Sequence, residues 1–251
     1  MNKRMMVVAA LMVLLLCETS SCTSKSENAS TPSAEAQHFD SISAEGTVNP
    51  LADLIQGNAR FVEGKLMHDH QDVRRIKELE AAQHPKSVII SCSDSRVPPE
   101  IIFDQGLGDL FTIRTAGNVM DDFELGSVEY AVEHLHTKLV VVMGHEGCGA
   151  IAAMIDHAKH GEQDSISEHG FVPDHISTIV EALEGESEAI EALKNTENLS
   201  GSMVRANVTH GVKQLRTSEP ILSKMYAAGE IEIIGAVYHL DTGKVELIEI
   251  L

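Results

Sequence analysis

Three short apolar runs, each rich in β-branched residues, most constrain how this chain can fold. They are KSVIISC (Lys86 to Cys92), LFTIR (Leu110 to Arg114) and KLVVVMG (Lys138 to Gly144). Runs of this kind are typical of parallel strands that are covered on both faces of a sheet. Each run is therefore predicted to form a buried strand.

Helical patterns separate and flank these runs. Asp121 and Asp122 stand where a helix start favours acids, ahead of an apolar stripe at helical spacing. The stripe consists of Leu125, Val128, Val132 and Leu135. Because strand alternates with helix, the chain is predicted to be an α/β protein with a mainly parallel sheet flanked by helices.

Further elements are predicted on either side of this unit. Asn49-Pro50 opens a helix, and a polar helix is expected over Asp72 to Gln83. A later helix carries the apolar residues Met203, Val204, Val208, Val212 and Leu215. The final runs IEIIGAVYHL and VELIEI flank Asp241 to Lys244, which predicts an antiparallel hairpin that extends the sheet edge.

The N-terminal 48 residues have the composition of export and tether segments. In residues 1–21, Lys3 and Arg4 precede an apolar run too short to span a bilayer, as in a secretory signal peptide. Cys22 follows small residues and resembles the lipidated cysteine of a bacterial lipoprotein; a plain cleaved signal is the alternative. Residues 22–48 are polar and predict a flexible tether. The folded domain is then expected over 49–251.

Acidic residues dominate the charge of the chain. The formal net charge is −19, which makes nucleic acid an improbable partner. Acids are concentrated in about 156–201, and this segment is predicted to be a solvated insertion off the sheet. Polyanions are therefore not expected among its partners.

Two cysteines of the expected domain, Cys92 and Cys148, need an explanation in an exported protein. They could form a disulfide or bind a metal. Cys92 ends one predicted strand, while His145 and Cys148 follow another, and open α/β sheets hold ligands at that edge. Two thiolates and one imidazole form a ligand set that suits Zn²⁺ with an open fourth position, which indicates catalysis.

Two segments resemble the zinc signatures of β-class carbonic anhydrases. They are CSDSR, from Cys92 to Arg96, and HEGCG, from His145 to Gly149. The resemblance continues through Val97 to Asn118 and implies the β-carbonic anhydrase fold. It implies that Cys92, His145 and Cys148 bind zinc. It also implies that Asp94 pairs with Arg96 in active forms and can move onto zinc as a fourth ligand in inactive forms.

The resemblance also assigns a substrate pocket that is shared across a dimer interface. Gln83 resembles the donor to a substrate oxygen, and Phe111, Tyr130 and Gly149 resemble residues that line the pocket. Tyr130 lies off the buried stripe of its predicted helix, on the face of Phe123, which is consistent with a second buried contact.

The expected activity is the reversible hydration of carbon dioxide to bicarbonate and a proton by a zinc-bound hydroxide. The chain would then be a carbonate dehydratase, a zinc-dependent lyase. It would act as a homodimer or higher homo-oligomer, either periplasmic or held at a membrane by an N-terminal lipid anchor. Three alternatives stay open: hydrolysis of carbonyl sulfide or carbon disulfide, a noncatalytic zinc-binding lipoprotein, and a thiol redox module.

Overall fold

The computed structural model of the protein describes residues 49–160, 175–184 and 198–250. The predicted signal peptide, the tether and most of the predicted insertion lie outside these residues. Within the described part of the chain, no helix combines the length and the apolar composition that a bilayer-crossing segment requires.

Five strands form a single sheet. They are β1 (Ser87–Cys92), β2 (Leu110–Thr115), β3 (Leu139–His145), β4 (Glu232–Tyr238) and β5 (Val245–Ile248). Their order is β2-β1-β3-β4-β5; the first four are parallel, and β5 runs antiparallel to β4 at the edge. The predicted fold class, including the C-terminal hairpin, is confirmed.

Helices connect and cover the strands. They are α1 (Pro50–Val62), α2 (Val73–Glu78), α3 (Pro99–Ile102), α4 (Asp122–Glu133), α5 (Gly149–His160), α6 (His175–Glu184), α7 (Leu199–Thr217) and α8 (Leu222–Ala227). Two starts follow the predicted capping chemistry: Asn49 accepts from the N–H groups of Leu51 and Ala52, and Asp121 forms a capping box with Glu124. These caps define where α1 and α4 begin.

Helix α2 is shorter than the sequence predicted. The helical pattern was expected to reach Gln83, but the helix ends at Glu78. Leu79 packs over Gly108, where an added Cβ would lie 2.6 Å from its Cδ1 atom. The chain therefore leaves the helix to make a tertiary contact that the local pattern does not contain.

The sheet separates two apolar clusters. Alternate residues of the central strands enter opposite clusters, with Val88 and Val140 on one side and Ile89 and Val141 on the other. Helices α4 to α8 contribute to the first cluster, while α1 and α3 contribute to the second. Both faces of β1 and β3 are consequently buried, as their unbroken apolar sequence predicted.

Helix α6 changes the picture of the acidic insertion. The only part of that predicted insertion described between 161 and 197 is α6, and its Leu183 is buried in the first cluster. Ala182, next to it, is exposed. This helix is therefore amphipathic and packed onto the domain on one side, rather than solvated all round.

Helix α7 approaches the sheet very closely. A Cβ added to Gly144 would lie 2.7 Å from Cγ2 of Val208 and 3.0 Å from Cγ1 of Val204, and one added to Gly235 would lie 2.8 Å from Val208. Val208 therefore packs against Gly144 in β3 and against Gly235 in the neighbouring strand β4. The absence of side chains at Gly144 and Gly235 sets the separation between α7 and the sheet.

This close contact predicts that Gly144→Ala destabilises the protein. The added methyl group must displace buried side chains of α7, and overpacking of this kind typically costs about 1–3 kcal/mol. The free energy of unfolding from denaturant titration measures the effect. Gly126→Ala is the control: Gly126 lies in α4, and outside its own stretch of helix no atom of the described residues lies within 4 Å of an added Cβ, so that variant should be about 0.5–1 kcal/mol more stable than the wild type. Equal stability of the two variants would contradict the packing argument.

Candidate metal centre

Parallel pairing of β1 with β3 brings the three predicted metal ligands together. Cys92 ends β1 and His145 ends β3, so both lie at the carboxyl edge of the sheet. Gly147 has a φ of +64°, which allows the sharp turn between His145 and Cys148. Cys148 then directly precedes α5.

The ligating atoms of these three residues form a compact buried cluster. One from each of Cys92, His145 and Cys148 lies within 4.8 Å of the others. The two Sγ atoms are 4.0 Å apart, and both thiols are free. Tetrahedral zinc with Zn–S bonds of about 2.3 Å separates two sulfurs by about 3.8 Å, whereas a disulfide holds them at about 2.0 Å. The spacing matches the metal alternative and not the disulfide.

The imidazole of His145 is oriented as a metal ligand. Its Nδ1 atom lies 2.9 Å from the carbonyl oxygen of Glu146, which assigns the ring proton to Nδ1. The Nε2 atom is buried and has no hydrogen-bond partner among the described residues. A buried nitrogen lone pair without a partner is costly unless it binds something. The donor set therefore fits Zn²⁺, and a backbone carbonyl fixes the required tautomer.

The two thiols alter each other's acidity. The hydrogen bond with Cys148 lowers the pKa of Cys92 to about 4, helped by the N–H groups of Asp94 and Gly117, while burial opposes the shift. The same hydrogen bond, together with burial, raises the pKa of Cys148. The N–H groups of Ala150 and Ile151 at the start of α5 favour the Cys148 thiolate. A dication bound between the two sulfurs would favour the ionised form of both.

Asp94 is held beside this cluster by Arg96. The Nε and Nη2 atoms of Arg96 donate to the two carboxylate oxygens at 2.9 and 2.6 Å, and the backbone N–H of Arg96 also donates to Asp94. These bonds keep the pKa of Asp94 well below its usual range. Oδ2 of Asp94 is 3.9 Å from Nε2 of His145, so an ionised carboxylate lies at the edge of the centre.

Arg96 and Arg114 fix the backbone around the ligands. Nη2 of Arg96 donates to the carbonyl of Gly147, which links the two signature segments. Arg114 donates from Nε to the carbonyl of Cys92 at 3.1 Å and from Nη2 to that of Asp94 at 2.7 Å. Sequence reasoning gave Arg114 no such role. Its position at the end of a predicted strand was the available signal, but its acceptors are the last residue of the neighbouring strand, Cys92, and Asp94 in the loop that follows.

The remaining predicted site residues do not form one enclosed pocket within a single chain. Phe111 and Tyr130 contact each other, with ring centroids 6.3 Å apart, and Gly149 is exposed at the start of α5. Gln83 is exposed between α2 and β1, and no hydrogen bond described in the chain joins it to the metal ligands. Tyr130 is also nearly half exposed. One chain thus assembles the predicted metal ligands and the Asp94–Arg96 pair, but does not enclose the whole predicted pocket.

A second cluster of side chains that could bind a metal differs from the first in the hydrogen bonding of its histidine. Glu146, His239 and Asp241 also have ligating atoms within 4.8 Å of one another. Both ring nitrogens of His239 face carboxylates, Nδ1 with Glu146 at 3.1 Å and Nε2 with Glu246 at 3.0 Å. Neither ring nitrogen of His239 is therefore available to bind a metal, in contrast to Nε2 of His145.

Comparisons with known proteins agree with this geometry. The family model described as carbonic anhydrase matches residues 87–245. A carbonic anhydrase of Mycolicibacterium smegmatis is 41% identical over 203 residues, which cover 79% of this chain and 93% of that protein. Carbonic anhydrase 2 of Mycobacterium tuberculosis is 38% identical with the same coverage.

Solved structures give the same result. The β-carbonic anhydrase CcaA is 26% identical and has a TM-score of 0.60, covering 79% of this chain and 95% of that chain. A structure from a study of two tetrameric β-carbonic anhydrases of Sordaria macrospora is 25% identical with a TM-score of 0.58, covering 80% and 98%. The similarity therefore extends over nearly the whole of each solved chain.

Removing one sulfur should remove the metal. Cys148→Ala is expected to lower zinc affinity by more than about 100-fold, since changes outside the ligand shell alone typically cost 10–100-fold. Zinc content per chain, measured by mass spectrometry after gel filtration, tests this. Ser91→Ala is the control, because Ser91 precedes a ligand and its buried hydroxyl has no partner among the described residues. Full zinc occupancy in Cys148→Ala would exclude the assigned ligand set.

Proposed function

Because this chain belongs to the β class of the carbonic anhydrase family, we propose which of its residues carry out the hydration of carbon dioxide. The chain is a zinc-dependent carbonate dehydratase, a lyase that interconverts carbon dioxide and bicarbonate. The observation that carries the assignment of residues is the buried cluster of two free thiols and one imidazole with an unpartnered Nε2 atom.

Cys92, His145 and Cys148 hold the zinc ion in this proposal. Zinc, when bound, supplies a hydroxide nucleophile near neutral pH. The chain itself must keep a fourth protein ligand away and direct the proton of the nucleophile. Asp94 is the acidic group closest to that role, since Oδ2 lies 3.9 Å from the His145 Nε2 atom.

Asp94 orients the nucleophile by accepting its hydrogen bond. An ionised carboxylate can only accept hydrogen bonds, so it fixes which way the proton points and leaves a lone pair for the carbon of the substrate. Arg96 supports this role in two ways. It keeps Asp94 ionised, and its fork of donors binds both carboxylate oxygens and so fixes their position.

The Asp94–Arg96 pair also argues against a permanently closed, noncatalytic zinc site. In such a site Asp94 would serve as the fourth ligand, and an arginine that binds both of its oxygens would oppose that arrangement. The relatives named above are carbonic anhydrases, which favours carbon dioxide over carbonyl sulfide or carbon disulfide as the substrate.

We further propose that a second copy of the chain completes the pocket around Gln83, Phe111, Tyr130 and Gly149. Support comes from their incomplete burial in one chain and from Phe123 on the same helix as Tyr130, which is 88% exposed. The relatives from Sordaria macrospora are described as tetrameric. Light scattering after size exclusion tests this assembly, and a particle with the mass of one chain would contradict it.

Stopped-flow hydration of carbon dioxide tests the roles of Asp94 and Arg96. Asp94→Asn and Arg96→Ala are each expected to lower kcat/KM by about 10- to 100-fold while zinc content stays near that of the wild type. Arg74→Ala is a matched control, because Arg74 pairs with Asp72 in the same two-residue spacing on the exposed surface.

Three outcomes separate the possibilities in this assay. Unchanged activity in both variants would remove the pair from the mechanism. Loss of zinc from the variants would assign the pair a role in metal binding instead. Absence of hydration by the zinc-loaded wild-type protein, with turnover of carbonyl sulfide in the same apparatus, would overturn the substrate.

We also propose that the chain is exported and anchored to a membrane through a lipid on Cys22, with residues 1–21 removed and residues 22–48 as a tether. The arrangement of basic residues, apolar run and small residues before Cys22 supports this. Cys22→Ala should move the protein from the detergent phase to the aqueous phase in a partition experiment on bacterial cells. Cys17→Ala is the control and should leave partitioning unchanged; the reverse result would place the lipid on Cys17.

A further inference from the structure

One residue outside the signature segments joins a distant helix to a metal ligand. Gly117 lies in the 3-10 turn Ala116–Asn118 after β2, and its N–H donates to the Sγ atom of Cys92 at 3.3 Å. The carbonyl of the same residue accepts from Nδ2 of Asn207 at 2.8 Å, in a buried hydrogen bond that spans 90 positions of the chain. Both backbone polar groups of Gly117 are therefore hydrogen-bonded: the N–H to the sulfur of Cys92, and the carbonyl to the side-chain amide of Asn207.

Gly117 needs such a restraint because of its own backbone. Its φ is +69°, a region that glycine reaches with little cost and can leave as easily. An added Cβ would lie 3.0 Å from the Cβ of Ala150, so the site also leaves no room for a stiffer residue. Without a bond to its carbonyl, the direction of the Gly117 N–H would be weakly defined.

Asn207 is well placed to provide that restraint. It lies in the interior of α7, where asparagine is less favourable than most residues because it competes for backbone hydrogen bonds. Its side-chain amide instead donates a hydrogen bond to Gly117, which lies outside the helix. The neighbouring Val208 is fully buried over Gly144 and Gly235, which fixes the position of this turn of α7 relative to the sheet.

Hydrogen bonds from N–H groups to a thiolate favour its charged form and set its orientation. Groups one step away from a metal ligand therefore influence how tightly the metal is held. Removing the Asn207 amide would leave a buried carbonyl without its donor and would release the restraint on Gly117. The effect should appear at the Cys92 sulfur, at a distance from the altered residue.

We propose that Asn207 is a positioning residue of the metal centre, which holds Gly117 so that its N–H is directed at the sulfur of Cys92. The proposal rests on the zinc role assigned to Cys92 above. Helix α7 then supports both ligand-bearing segments: through Asn207 it supports the loop against Cys92, and through Val204 and Val208 it packs on Gly144, next to His145.

The test compares Asn207→Ala and Asn207→Leu with Asn58→Ala. Asn58 is the matched control, since it is a helical asparagine of similar burial whose Nδ2 atom donates to the backbone carbonyls of Ile102 and Gly243, away from the centre. Zinc release to a chelator is expected to be about tenfold faster in both Asn207 variants. In cobalt-substituted protein, the thiolate-to-cobalt charge-transfer band should shift in these variants and remain unchanged in Asn58→Ala.

A measurement on the wild-type sequence keeps the proposal testable if the variants fold poorly. With cadmium-113 bound, a scalar coupling between the metal and the Gly117 amide proton is expected through the N–H···S bond. Absence of that coupling overturns the proposal. The proposal is also overturned if the rate of zinc release and the cobalt spectrum of Asn207→Ala match those of the wild type. Equal changes in Asn58→Ala would overturn it as well, because they would indicate a general loss of packing in the domain. Failure of the wild type to bind any of these metals would instead remove the zinc function itself.

Discussion

The parallel pairing of β1 with β3 is the constraint on which the rest of the structure depends. Both strands are buried on both faces, so their register is set by the packing of two apolar clusters. Because parallel strands end at the same edge, Cys92 and His145 are brought together by the core and not by contacts between themselves. The short turn at Gly147 then adds Cys148.

The ionisation of the two thiols and of Asp94 depends on the charged groups around them. Cys92 and Cys148 lie 4.0 Å apart in a buried site, and this proximity lowers the pKa of the first thiol and raises the pKa of the second. Asp94 adds a further negative charge, which Arg96 balances through a bidentate contact. The cluster of two thiols and one imidazole thus lies beside an ionised carboxylate that a guanidinium group holds in place.

Local patterns failed where tertiary contacts dominated. The end of α2 depends on Leu79 packing over Gly108, and the burial of Leu183 turns part of an acidic segment into a packed helix. The Leu79 contact has no local signature. The burial of Leu183 does have one, since Ile176, Ile179, Val180 and Leu183 recur at helical spacing, but the acidic composition of the segment concealed it. Gln83 stands exposed in one chain, so its predicted role depends on a partner that one sequence does not describe.

Local residue patterns were enough to predict the strands, the caps of α1 and α4, the buried stripe of α7 and the three candidate metal ligands, because each depends on residues within about ten positions or on a signature segment. The groups that support those candidate ligands become apparent only in the folded chain. The acceptors of Arg114 lie on a neighbouring strand and its loop, and Asn207 reaches Gly117 from 90 positions away. Hydrogen bonds of this kind leave no periodic pattern in the chain, since their partners meet only after the sheet and α7 have packed together.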